Sequence, residues 1–175
     1  ITIGGVDDSI DHGDSDILLV QRGSADANTT DVTAYSLISF NITDLPPPDN
    51  IFEREKTAIL KLEHIPSLVE TPDVTLWAVR LPSTAIAIEG QDGSTFVVAD
   101  GTGETTFEVS FSATTIEVDI TELLFGQSPF VRSTQEKQIL IMIENRGPPQ
   151  VEGNEFRSRE TANPPELIVG LAKAS

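Results

Sequence analysis

Apolar and polar residues alternate with a period of two along most of this chain. Such alternation places successive side chains on opposite faces, so each stretch predicts a β-strand with one face in a core. The apolar members of these stretches are Ile38, Phe40 and Ile42; Ala58, Leu60 and Leu62; Phe107, Val109 and Phe111; Ile116, Val118 and Ile120; and Leu167, Val169 and Leu171.

Residues 139–143, with the sequence ILIMI, form a continuous apolar run instead of an alternating one. Such a run predicts a central strand covered on both faces, although periodicity alone also fits a buried helix. The β-branched residues of the run, and the Asn-Arg-Gly-Pro-Pro sequence at 145–149, favour the strand.

Helical signals are scarce. The best candidate is one or two turns at residues 122–125, with Thr121 as the cap, Glu122 in the first turn and Gly126 at the end.

Many short strands with Pro/Gly-rich connections predict an all-β fold, a two-sheet antiparallel β-sandwich of jelly-roll type with minimal helix. We expect a single domain over residues 1–175, with residues 1–13 as a candidate extended N-terminal arm.

The charge is strongly acidic. The 175 residues include 28 Asp and Glu against 11 Lys and Arg, which gives a formal net charge of −17. An acidic surface repels phosphate backbones and anionic lipid headgroups, so nucleic acid and membrane insertion are not expected. The same charge suits a protein that stays soluble in salty or calcium-rich surroundings, and solubility alone would explain it equally well.

Residues suited to catalysis are few. The chain has no cysteine, which excludes disulfides, thiolate metal sites and cysteine nucleophiles. It contains no G-x-S-x-G, H-E-x-x-H or phosphate-binding loop motif. Its two histidines are His12 and His64, and we expect His64 at the rim of a strand. Paired carboxylates could serve glycoside hydrolysis or lyase chemistry, but 28 acids produce close pairs by chance. We therefore do not expect an enzyme.

Four segments in a fixed order carry a family resemblance: residues 39–46 (SFNITDLP), 58–62 (AILKL), 117–123 (EVDITEL) and 156–169, which begins FRSRE. With this order, the chain resembles the DNRLRE-type domain from about residue 14 to residue 171. That family is a β-sandwich of secreted and cell-surface proteins, and some members are classed as carbohydrate-binding modules for acidic polysaccharides such as alginate. The resemblance implies an extracellular or cell-surface location.

Arg157, Arg159 and Glu160 allow two interpretations. In the structural one, alternation sends both arginines to one face, and Glu160 pairs with a basic group or caps backbone N–H groups in a partly buried place. In the functional one, an arginine holds sugar carboxylates through its bidentate guanidinium. The structural interpretation is favoured because charges beside a closing strand often fix its register.

The acidic N-terminal segment is the best metal candidate. Calcium takes six to eight oxygen ligands, which clustered carboxylates and turn carbonyls supply. The candidate ligands to Ca²⁺ are Asp7, Asp8, Asp11, Asp14 and Asp16, with Gly13 allowing a tight turn between them. The alternative is a solvated acidic loop without metal.

Asn28 and Asn41 each begin an N-glycosylation sequon, and both are expected in contact with solvent.

Trp77 and Tyr35 could stack on sugar rings, but Trp77 shares a strand face with Val79, so core packing is the default interpretation.

Two functions from different classes follow. The first is a non-catalytic extracellular carbohydrate-binding module for a cell-wall or matrix polysaccharide. The alternative is a structural subunit of an extracellular filament or surface layer, whose partners are neighbouring copies of itself. Residues 1–3 are β-prone and precede Gly4-Gly5, so an extended N-terminal strand could complete a neighbour's sheet. A start at Ile1 fits a precursor that has lost a signal peptide, but an arbitrary cut would look the same.

The acidic segment generates the first prediction. If residues 7–16 bind calcium, millimolar calcium raises the melting temperature, because a ligand of the folded state stabilises it by mass action. The Asp11→Asn, Asp14→Asn double variant should lose that increase. Identical thermal melts with and without calcium for the parent protein would show that the segment is only solvated.

Overall fold

The computed structural model describes residues 2–4, 16–23, 34–46, 54–81, 103–126, 138–150 and 152–173. These residues form ten strands and one short helix. The elements are β1 (Thr2–Gly4), β2 (Ile17–Val20), β3 (Ala34–Asn41), β4 (Arg54–Ile65), β5 (Val74–Leu81), β6 (Gly103–Val109), β7 (Thr115–Asp119), α1 (Thr121–Phe125), β8 (Gln138–Glu144), β9 (Asn154–Arg157) and β10 (Glu166–Lys173).

The strands form two antiparallel sheets that pack as a sandwich, which confirms the predicted all-β class. The first sheet has the order β1-β3-β8-β5-β6. The second has the order β10-β4-β9-β2, and β7 also pairs with β4. The jelly-roll connectivity stays a prediction. Residues 2–4 of the predicted N-terminal arm pair with residues 34–36 of β3, and residues 5–13 lie outside the described residues.

The alternating apolar residues meet between the two sheets, as their period of two predicts. Leu60 and Leu62 of β4 are fully buried there, together with Leu76 of β5 and Ile141 of β8. Burying large aliphatic side chains of this kind contributes about 1.5–3 kcal/mol each, so this interior supplies most of the stability.

β8 is the central strand that its continuous apolar run predicted. It pairs with β3 on one side and β5 on the other, and residues 139–143 are all buried. Its two faces belong to different clusters, because Ile141 faces the second sheet while Met142 packs on the opposite face. That second cluster consists of Leu37, Val79, Leu81, Leu140 and Met142.

The helix α1 begins one residue earlier than predicted, at Thr121, and ends at Phe125 as predicted. Thr121 does not cap it, because its hydroxyl oxygen accepts the Ala58 N–H at 2.9 Å. Asp119 accepts the Thr121 N–H at 2.9 Å, and hydrogen bonds from the Thr121 side chain and backbone lower the pKa of Asp119. Gly126 follows the helix as predicted, and its N–H donates to the Glu122 carbonyl at 2.8 Å. A Cβ at that position would collide with the same carbonyl oxygen, so close approach requires the glycine.

Arg80 is an unpredicted buried cation. It lies on β5 with an exposed fraction of 4%. Its Nη1 donates to the Leu123 carbonyl of α1 at 2.7 Å. Carbonyls in the last turn of a helix lack intrahelical partners, so this bond satisfies one of them and connects α1 to the first sheet.

His64 is not the rim residue that its sequence position suggested. It is 5% exposed, its Nδ1–H donates to the Ala113 carbonyl at 2.8 Å, and its ring centroid lies 5.4 Å from that of Phe156. The reason is that β4 runs one residue further, to Ile65, and is covered at this end by β9 and by the turn between β6 and β7.

The His64–Phe156 contact generates a stability prediction. Phe156 is 1% exposed, so Phe156→Ala should lower the free energy of unfolding by about 3–5 kcal/mol. Urea denaturation measures the loss. The matched control is the adjacent exposed residue, since Arg157→Ala should change stability by less than about 0.5 kcal/mol. Equal losses for the two variants would contradict the packing seen at this end of β4.

Candidate functional site

The segment FRSRE lies where the chain leaves one pairing on β4 and enters another. Phe156 of β9 pairs with His64, and Glu166 of β10 pairs with Lys61. Only residues 62–63 of β4 separate these pairings, whereas residues 157–165 separate their partners along the chain. Arg157 still pairs with β2, and the residues after it must leave the sheet. We call residues 157–165 the arginine turn.

Ser158 holds the arginine turn from inside. It is 4% exposed, and its N–H donates to the Asp16 carbonyl at 3.0 Å. Its hydroxyl oxygen accepts the Glu160 N–H at 3.2 Å, and its carbonyl accepts the Thr161 hydroxyl at 2.8 Å. Backbone and side chain of one buried serine therefore fix the path of the chain on both sides of it.

The charged side chains of the turn lie at the surface. Arg157 is exposed, and it pairs in register with Ile17 of β2. The side chains of Arg159 and Glu160 are 69% and 40% exposed, and the Arg159 Nε lies 2.8 Å from the Glu160 Oε1. The partly buried place expected for Glu160 is thus a solvent-accessible one, where an ion pair contributes about 0–1 kcal/mol.

One of the predicted metal ligands lies next to the arginine turn. Asp16 is the last of the five predicted metal ligands, and its carbonyl contacts Ser158 directly. Asp7, Asp8, Asp11 and Asp14 lie outside the described residues. Within the described ranges, no group of three or more His, Asp or Glu could hold a metal ion. Asp16 therefore lies beside the arginine turn, and calcium binding stays a prediction.

The remaining predicted residues lie apart from the turn. Asn41 is exposed at the end of β3, and its Oδ1 accepts hydrogen bonds from the Thr43 N–H, at 2.9 Å, and from the Thr43 hydroxyl. Asn28 lies outside the described residues, and glycosylation of both sequons stays a prediction. Trp77 and Tyr35 are half-buried against the cluster on the far face of the first sheet.

A second polar centre, around Arg146, was not expected from the sequence. Arg146 bridges Glu104 and Glu144, with both N–O distances at 2.5 Å. Partial burial disfavours its charged form, but the hydrogen bonds and charges of the two glutamates outweigh burial and raise the pKa of Arg146. Arg22 donates from Nη1 to the carbonyls of Arg146 and Gly147, at 2.6 Å each. These contacts hold the turn after β8, and the guanidinium groups of both Arg22 and Arg146 take part in them.

No helix in the described part of the chain is long and apolar enough to cross a membrane. Comparison with protein-family models finds no family that matches, and comparison with curated proteins finds no relative. The resemblance to DNRLRE-type domains therefore rests on the four motif segments, two of which adjoin each other on β4 and β7.

Exposure of the ion pair generates a prediction about Glu160. Glu160→Ala should lower the free energy of unfolding by less than about 1 kcal/mol, because water replaces the lost contact. Ser158→Ala should cost about 1 kcal/mol or more, since it leaves the Glu160 N–H without its buried acceptor. Urea denaturation of both variants provides the comparison. A loss on the order of 3 kcal/mol for Glu160→Ala would instead indicate a buried charge pair.

Proposed function

We propose that this protein is a non-catalytic, extracellular or cell-surface carbohydrate-binding module whose arginine turn contacts carboxylate groups of an acidic polysaccharide. The observation that carries the proposal is the exposure of Arg157 and Arg159, two residues apart, on either side of the buried Ser158. The resemblance of the chain to DNRLRE-type domains adds support from the sequence.

The chemistry of the turn suits an anionic ligand. A guanidinium offers parallel N–H donors that match the two oxygens of a carboxylate, with more geometric specificity than an ammonium group. Binding loses less conformational entropy when the backbone beneath the donors is already fixed. The hydrogen bonds of Ser158 to Asp16, Glu160 and Thr161 supply that fixation.

Charge limits the affinity. A net charge of −17 repels an anionic polysaccharide at long range, so the arginine turn must attract it locally. Binding is therefore weak at low salt, where repulsion extends furthest, and strengthens as salt screens the distant acids. If residues 7–16 bind calcium, the ion would act in the same direction, because a divalent cation bridges protein and sugar carboxylates.

The filament subunit remains a second proposal, supported by one observation. β1 is a strand of three residues at the edge of the first sheet, paired only with β3 in the described part of the chain. A strand of three residues forms few hydrogen bonds with its own sheet, so the same residues could pair instead with a neighbouring copy. Electron microscopy of purified protein tests this alternative, because filaments support it and separate particles contradict it.

The binding prediction concerns both arginines. Arg157→Ala and Arg159→Ala should each weaken binding to alginate in affinity electrophoresis by at least about tenfold, as expected for loss of a charged hydrogen bond worth about 1.5–3 kcal/mol. Thermal melts should stay unchanged. Lys173→Ala, which removes an exposed cation from the end of β10, is the matched control and should bind like the parent. Equal retention of all the variants would place polysaccharide binding elsewhere or nowhere.

A further inference from the structure

β10 presents an uncharged edge. It pairs with residues 54–61 of β4 along its whole length, and within the described residues it has no partner on its other side. Residues 167–172, with the sequence LIVGLA, contain no charge and no proline. Ile168 is 47% exposed on the outer face of this strand. An exposed apolar edge of this length is a template for pairing with another strand.

Two other strands with an unpaired edge in the described part of the chain are protected by charge, whereas β1 and β2 are uncharged but only three and four residues long. β6, at the end of the first sheet, carries Glu104 and Glu108 as exposed residues. β7 is only five residues long and carries the exposed Glu117 and Asp119. Charged side chains on edge strands are a common protection against association. β10 has charges only at its two ends, Glu166 and Lys173.

The register shows which backbone groups of β10 point outwards. The Ala58 N–H donates to the Thr121 hydroxyl and the His64 N–H to the Thr114 carbonyl, so even-numbered residues of β4 face β7 and α1. The odd-numbered residues then face β10, where Ile59 pairs with Ile168. Alternation along an antiparallel pair therefore directs the N–H and C=O groups of Leu167, Val169 and Leu171 towards the open edge.

We propose that two copies of this chain associate through β10, paired antiparallel about a two-fold axis, so that their second sheets become one continuous sheet. The charge distribution selects this occupant and this orientation. At one end of β10 lie Glu166 and the β4 residue Glu63, which Lys61 contacts. At the other end lie Lys173, its register partner Arg54, Lys56 and one acid, Glu55, so cations outnumber anions there. Antiparallel pairing brings the acidic end of each copy to the basic end of the other, whereas parallel pairing joins like charges.

In two-fold pairing, both copies use the same edge of β10 to form hydrogen bonds. In an isologous contact each copy presents the same patch, so the outward backbone groups of both β10 strands are used together. The exposed Ile168 of each copy then lies beside the neighbouring strand and loses contact with water. This association does not depend on polysaccharide binding, since the arginine turn precedes β10 and none of its residues belongs to the pairing strand.

Sedimentation equilibrium of the full chain across a concentration series tests the proposal. We expect a monomer–dimer equilibrium. Val169→Pro removes one outward N–H without breaking a bond to β4, and it should raise the dissociation constant at least about tenfold while far-UV circular dichroism stays that of the parent. Ile168→Lys gives a second test that leaves the backbone intact, since it places a charge on the exposed face of the pairing strand. It should weaken the dimer similarly.

Charge reversal separates local pairing from overall repulsion. Lys173→Glu should weaken the dimer, because the strand ends that meet are then both acidic. Arg157→Glu changes the net charge by the same amount at an exposed position outside β10, and it should leave the dissociation constant within about twofold of the parent. A parent protein that stays monomeric at all concentrations would overturn the proposal, as would a dimer that tolerates both Val169→Pro and Ile168→Lys.

Discussion

The register of β4 is the constraint on which the rest of the structure depends. This twelve-residue strand pairs with β7, β9 and β10, and it contributes Ala58, Leu60 and Leu62 to the interior. A slip of one residue would turn those side chains to solvent, so burial fixes the register strongly. Because β9 and β10 both pair with β4, the same register decides where the chain must leave the sheet between them. The arginine turn is the result, and its position therefore follows from the packing of the buried inner face of β4.

Much of the fold could be predicted because its signals are local. A period of two needs only a few neighbouring residues, so β4, β7 and β10 could be recognised from alternation and β8 from its unbroken apolar run. The continuous run predicts the centre of a sheet because its β-branched residues favour a strand, and a strand with apolar residues at every position is covered on both faces. The short helix was recognised at the right place, although Thr121 uses its hydroxyl for Ala58 instead of a cap.

The parts that could not be predicted depend on residues distant in sequence. The burial of His64 requires Phe156 and Ala113, and that of Arg80 requires the carbonyl of Leu123. Neither partner is visible in the local pattern, so both residues resemble ordinary polar positions of a strand. The arginine turn was noticed for its charges, but its contact with Asp16 depends on the pairing of β2 with β9. Sequence reasoning found the residues of the candidate site, and only the register revealed which of them are neighbours.

The long-range pairing of β4 has a consequence for biosynthesis. Lys61 of β4 pairs with Glu166, which is synthesised more than a hundred residues later, so this edge of β4 stays uncovered until then. β3 likewise stays unpaired on one side until β8 is synthesised. Until then the ribosome-bound chain holds unpaired strands with exposed apolar side chains, and forming such distant contacts is slow. Three pairings close earlier, β1 with β3, β5 with β6 and β4 with β7. The nascent protein therefore passes through a period in which part of each sheet exists without the rest, and the net charge of −17 makes neighbouring copies repel one another.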